Sequence, residues 1–147
     1  MNRLLVKQFL QQALIEDIGT RDLTTELIFN PSDKMRATLV AKQAGRIAGL
    51  PVVEEAFRML DNNVCFTAFI AEGSDVEAGT PIAAITGTAR AILPVERVAL
   101  NLLQRMSGIA TATRDVCRIV SDFPVRITDT RKTLPGLRLF DKYAVVQ

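Results

Sequence analysis

Between Lys34 and Lys42 apolar and polar positions alternate. Met35, Ala37, Leu39 and Ala41 fall on one side, with Arg36, Thr38 and Lys42 on the other. This two-residue period predicts a half-buried strand. Residues 64–70, VCFTAFI, predict another strand. After residue 72, Gly73, Gly79 and Gly87 punctuate short alternating pieces, which predicts antiparallel strands joined by tight turns. Helical spacing appears at both ends of this region. Leu4, Leu5, Phe9, Ala13 and Leu14 mark a helix that stops at Gly19. Asp22 or Thr24 is placed to cap a short turn carrying Leu23, Leu27 and Ile28. AGRIAGL predicts a turn and a second short strand. Residues 51–60 form a helical pattern opened by Pro51.

From Pro94 the texture changes. Val95, Val98, Ala99, Leu102 and Met106 share a helical face, and Gly108 is expected to break or kink it. Ile109, Ala112, Val116, Ile119 and Val120 continue the apolar stripe on a second helix, ended by Pro124. A strand is expected at 125–129, then the turn TLPG, then a further helix. Helix, strand, loop, helix is the entry to a β/α unit. The strand's parallel neighbour is not among the 147 residues. The pattern divides the chain into an α+β sandwich at 1–93, with an antiparallel sheet and flanking helices, and a second unit at 94–147. No repeat is present. The hairpins after residue 72 are similar to those of biotinyl and lipoyl carriers, but a carrier needs a lysine at a hairpin tip. No lysine lies between Lys42 and Lys132.

Composition narrows the chemistry. Hydrophobic residues make up 48% and charged residues 23% of the chain, the profile of a globular domain. A net charge of +2 is too small to argue for nucleic acid or a membrane surface. There is neither a membrane-length apolar run nor a signal-peptide pattern, so a cytoplasmic location is expected. Cys65 and Cys117 are far apart in apolar surroundings and are expected to be buried thiols. There is no histidine, which removes Ser-His and Cys-His pairs, imidazole acid–base work and most zinc sites. Chemistry here must run on carboxylates, cations or backbone groups.

Thr130, Arg131 and Lys132 follow the strand expected at 125–129. Ligands of α/β folds bind outside the carboxyl ends of strands. Arginine pairs with a carboxylate through two hydrogen bonds, lysine adds a compact charge, and a threonine hydroxyl can donate to the same oxygen. The set suits a small anion bearing carboxylates or phosphate. A solvated loop is the plain alternative. Asp129 is placed to orient an arginine or turn the backbone, and one lone carboxylate does not suggest a metal.

Three stretches, EDIGTRDLTTE, ERVALNLLQRMSGIATATR and DTRKTLPGLRLFDKYAV, resemble the quinolinate phosphoribosyltransferase family (nicotinate-nucleotide pyrophosphorylase, carboxylating) in order and spacing. The resemblance implies an N-terminal sandwich followed by an open α/β barrel, incomplete in this chain. It implies conversion of quinolinate and phosphoribosyl pyrophosphate to nicotinate mononucleotide, carbon dioxide and pyrophosphate in NAD synthesis, with magnesium, in a homodimer of shared sites. By the same resemblance Arg97 reaches quinolinate in the neighbouring subunit, and Thr130, Arg131 and Lys132 hold its carboxylates. Arg105 and Arg138 add positive potential or serve structure. Glu16, Asp17 and Arg21 organise the N-terminal helix and loop. The family's Asn-His-Arg, further lysine, acidic metal ligands and phosphate loops have no counterpart here. The expectation is therefore a truncated chain, inactive alone. A non-catalytic fragment that binds a dicarboxylate or only associates with a partner stays open, as does a pyrophosphorylase-like relative associated with molybdenum transport.

Overall fold

The computed structural model describes residues 1–147. Ten elements follow in order: α1 (Arg3–Ile18), α2 (Leu23–Ile28), β1 (Lys34–Val40), β2 (Gly45–Arg46), α3 (Leu50–Leu60), β3 (Cys65–Ala68), β4 (Asp75–Val76), β5 (Pro81–Thr88), α4 (Ala89–Ile119) and α5 (Arg138–Val145). The architecture is α+β with antiparallel sheets. Strands β1, β5 and β3 form a three-stranded sheet in that order, and β2 pairs with β4.

β1 behaves as its alternation predicts, with Met35, Ala37 and Leu39 inward and every other position exposed. Its partner β5 has a different pattern: Ile82 to Ile85 are buried consecutively. A central strand, covered on both faces, has no solvent side to alternate with. In register, Ala37 opposes Ile85 and Phe66 of β3 opposes the same residue from the other flank.

Local signals place the first helices. The Asn2 side chain accepts from the amides of Leu4 and Leu5, and Gly19 closes α1 with φ +61°. Asp22, rather than Thr24, caps α2 by accepting from the Thr25 amide at 3.1 Å and from the Thr25 hydroxyl. The buried face of α1 is Val6, Leu10 and Leu14, while Leu4 and Leu5 point outward. Both sets satisfy helical spacing, and only packing on α3 and α4 chooses between them. Leu23, Leu27 and Ile28 of α2 are likewise exposed.

The expected helix pair is one helix. α4 runs unbroken for 31 residues, about 46 Å at 1.5 Å per residue. It begins at Ala89, so residues 89–93, expected as strand, are helical, and Pro94 lies in its second turn. Gly108 does not break it. A helical glycine costs about 1 kcal/mol, and tertiary bonds on both sides offset this. The Ser107 hydroxyl engages the amide and carbonyl of Ala48. The Thr111 hydroxyl accepts from the Arg46 amide at 2.8 Å. Fully buried Met106 and buried Ala110 flank the glycine.

The strand expected at 125–129 is also absent. Residues 125–130 have no regular structure and are exposed. A barrel strand is held by hydrogen bonds from parallel neighbours, and no strand of this chain pairs with the segment. The cysteines differ from expectation too: both Cys65 and Cys117 are free and exposed. Cys65 lies on the outward side of β3. Cys117 lies in the last turns of α4, where Val116 and Ile119 are also exposed because no element covers them.

Helix α5 returns across the exposed loop and docks on α4. Phe140 is fully buried and meets Phe9 edge-on, with ring centroids 4.7 Å apart. Arg105 Nε and Nη2 donate to the two oxygens of Asp141, each at 2.8 Å. Arg105 is thus structural. At the start of α3, the Glu72 carboxylate accepts from the Leu50 amide at 2.9 Å and from the Gly49 amide, capping the helix. A third tie joins β4 to α4. Arg46, Arg114 and Arg118 all donate to Asp75, and Arg46, then Arg114, hold that carboxyl far below the usual carboxylate range.

Two outcomes follow from this packing. A Cβ on Gly49, whose φ is +111°, would sit 2.9 Å from Met106 Sδ, whereas one on Gly108 meets nothing within 4 Å. Gly49→Ala is expected to lower unfolding free energy by about 2–4 kcal/mol, from positive-φ strain and overpacking together. Gly108→Ala is expected to raise it by roughly 0.5–1 kcal/mol. Urea midpoints read both signs. Burial, then the negative charge of Glu72, pushes the Tyr143 hydroxyl up to about 12. Its folded pKa exceeds its unfolded value, so the stability it contributes is complete below pH 10 and fades as pH rises through 12. Tyr143 is the sole tyrosine and tryptophan is absent. Tyrosinate absorbance should therefore titrate near pH 12 in the folded protein and near 10 in urea.

Candidate substrate-binding site

Arg97 projects from the outer face of α4 beside the end of α1 and the α1–α2 turn. Between these elements lies a cleft of about 420 Å³, lined by Asp17, Arg21, Asp22, Glu96, Arg97 and several uncharged residues. The Arg97 side chain is 71% exposed, and its Nη1 donates to Asp17 Oδ1 at 2.7 Å. Arg21 is turned to Glu26 at 2.9 Å. Asp22 is held below its ordinary pKa, first by the Thr25 hydroxyl and then by the Thr25 amide. The lining therefore holds three carboxylates, Asp17, Asp22 and Glu96, against two guanidiniums, Arg21 and Arg97. This formal balance of −1 does not suit a dianion by itself.

Thr130, Arg131 and Lys132 lie elsewhere on the surface, and none of them lines that cleft. The Thr130 hydroxyl accepts from the Lys132 amide at 3.1 Å, which folds the three residues into a tight exposed turn. Neither Arg131 nor Lys132 takes part in an ion pair. Two adjacent cations without counterions form the opposite electrostatic environment to the Arg97 cleft.

Helix α5 braces this turn. Lys142 Nζ donates to Asp129 Oδ2 at 2.6 Å. Arg138 Nε donates to the Thr133 hydroxyl at 3.2 Å and its Nη2 to the Arg131 carbonyl at 3.3 Å. Arg138 thus holds the backbone next to the cations. Asp129 neither orients an arginine nor turns the backbone; it meets a lysine thirteen residues ahead. No local spacing signals that pair, nor the one between Asp17 and Arg97 across eighty residues.

Magnesium is the cofactor implied by resemblance. Nowhere in the chain do three His, Cys, Asp or Glu side chains converge. In the cleft, Asp17 and Asp22 are committed to Arg97 and Thr25. These residues do not fit a magnesium site.

Residues 22–107 match the model of the quinolinate phosphoribosyl transferase N-terminal domain, and residues 109–147 match that of its C-terminal domain. The chain belongs to the quinolinate phosphoribosyltransferase family. It is 46% identical over 145 residues to a probable nicotinate-nucleotide pyrophosphorylase [carboxylating] of Bacillus subtilis, covering 99% of this chain and 50% of that protein. A protein of the same description from Synechocystis is 43% identical, with 96% of this chain and 48% of that one covered. The crystal structure of NadC from Streptococcus pyogenes superposes with a TM-score of 0.95 at 38% identity, over 99% of this chain and 52% of that one. This phosphoribosyltransferase-family chain therefore spans about half the length of the curated relatives it matches. No helix in it is long and apolar enough to cross a membrane.

The brace on the cationic turn is testable without substrate. Lys142→Met should release Asp129 and speed tryptic cleavage after Arg131 and Lys132 several-fold. The unfolding free energy should change by less than about 1 kcal/mol, the ordinary range for a solvent-exposed ion pair.

Proposed function

We propose that this chain supplies the quinolinate-binding part of a carboxylating nicotinate-nucleotide pyrophosphorylase. Such an enzyme converts quinolinate and phosphoribosyl pyrophosphate to nicotinate mononucleotide, carbon dioxide and pyrophosphate in NAD synthesis. The observation that carries the reading is the braced turn at 130–132, where a hydroxyl, a guanidinium and an ammonium stand together with no acidic partner. Quinolinate carries two adjacent carboxylates, so it needs two cationic contacts at fixed separation. Arg131 can form a bidentate pair with one carboxylate, while Lys132 neutralises the other and Thr130 donates a further hydrogen bond. Neutralising both charges keeps the anionic substrate beside the electron-poor centre of the ribosyl donor. Thr130, Arg131, Lys132 and Arg97 are not the groups that would serve that donor or hold magnesium with it.

Arg97 stands apart from this turn, which fits a homodimer in which Arg97 of one chain completes the site built on Thr130, Arg131 and Lys132 of the other. Segment 125–129 would be the first strand of an open α/β barrel, paired once its parallel neighbours are present. A cytoplasmic location belongs to the same reading.

Quinolinate binding by calorimetry tests the assignment. Arg131→Ala and Lys132→Ala should each remove about 1.5–3 kcal/mol, the value of a hydrogen bond to a charged group. That weakens binding roughly ten- to hundredfold. Mixing Arg97→Ala chains with Arg131→Ala chains should restore part of the binding, since a mixed dimer keeps one intact site. The 147-residue polypeptide alone should show no turnover. Wild-type affinity retained in folded Arg131→Ala would defeat the assignment, and product formed by the pure polypeptide would defeat the division of labour.

A further inference from the structure

Arg97 is gripped at one end only. Its Nη1 donates to Asp17, and no other protein atom accepts from the guanidinium. The Nε–Nη2 edge, which can meet a carboxylate through two parallel bonds, has no protein partner. The two residues are unequally held. Asp17 is 22% exposed and Arg97 71%. Asp17 lies in the last turn of α1, next to buried Leu14 and before the stop at Gly19. A well-placed carboxylate thus restrains a long, exposed side chain. Asp22 and Glu96 also face Arg97. Asp22 is taken up by Thr25, and Glu96 forms no ion pair with Arg97, so the restraint comes from Asp17.

We propose that Asp17 is a positioning residue for Arg97, holding the guanidinium by Nη1 so that its Nε–Nη2 edge stays open to a substrate carboxylate. This rests on the assignment of Arg97 to quinolinate binding. A carboxylate beside a guanidinium can act on an arriving anion in two opposite ways. As a competitor it occupies the fork and weakens binding. As a brace it removes rotamer freedom in advance, so that less is lost when the anion binds. Competition requires Asp17 on the Nε–Nη2 edge, and it sits at the other corner.

The test pairs quinolinate calorimetry with the heteronuclear NOE of the Arg97 Nε–H group in the 147-residue chain. Asp17→Asn is nearly isosteric, and circular dichroism checks its fold. It should weaken quinolinate binding about three- to tenfold and lower the Arg97 NOE. Asp17→Glu, which keeps the charge, should recover most of both. A merely structural Asp17 would shift the unfolding midpoint without coupling the NOE to affinity. Unchanged or tighter binding by folded Asp17→Asn, while Arg97→Ala still abolishes binding, overturns the positioning role and leaves the assignment of Arg97 standing. Binding that survives Arg97→Ala, or no binding by the wild type, overturns that assignment and this proposal with it.

Discussion

Helix α4 approaches the backbone of residues 45–49 closely because Gly45 and Gly49 place no side chain toward it. A Cβ at Gly45 would come 2.9 Å from the Thr111 hydroxyl, and one at Gly49 equally close to Met106 Sδ. The close approach lets Ser107 and Thr111 reach the backbone of Ala48 and Arg46. These bonds satisfy main-chain groups that the two-residue strand β2 leaves without a ladder partner. The rest of the molecule is arranged on this seam. α3 starts from it, capped by Glu72. β4 is tied to it by Asp75. The full length of α4 is aligned by it.

That alignment distributes the candidate site residues. Arg97 projects from the N-terminal half of α4 into the cleft with α1. Arg105, two turns further on, fixes Asp141 and so seats α5. α5 then holds the turn at 130–132 through Arg138 and Lys142. The cationic turn lacks a sheet beneath it, and its placement depends on these side-chain contacts. The two candidate halves of the substrate site are therefore attached to one rigid helix, though they occupy separate surfaces with opposite charge balance.

The paired charges differ in what they do. Arg105–Asp141 is partly buried and bidentate, and its loss would leave a carboxylate without a partner inside the α4–α5 contact. Asp75 gathers three arginines at the surface, where solvent screens each pair. Asp17–Arg97 holds a single exposed guanidinium without filling its donor edge. Similar residue types thus serve as anchor, surface tie and brace, according to burial and to how many donors each partner uses.

Much of this was legible in the residues themselves. Alternation from residue 34, a cap at Asp22 or Thr24, Pro51 at the start of α3 and the glycine turns at 73 and 79 act through neighbours in the chain, so they can be read locally, whereas Gly87, expected as a third break, lies inside β5. The family could be recognised for the same reason, since its three stretches are contiguous. Thr130, Arg131 and Lys132 could be singled out as a group with chemistry, though what holds them could not. Tertiary structure decided which of two equally periodic faces of α1 is buried and whether Gly108 interrupts α4. It decided whether 125–129 is a strand, because a strand exists only when another supplies its hydrogen bonds. It also decided the partners of Asp17, Asp129 and Arg105. Those pairs join residues 80, 13 and 36 positions apart. At such separations helix and strand periods carry no information, and only the packed fold brings the charges together.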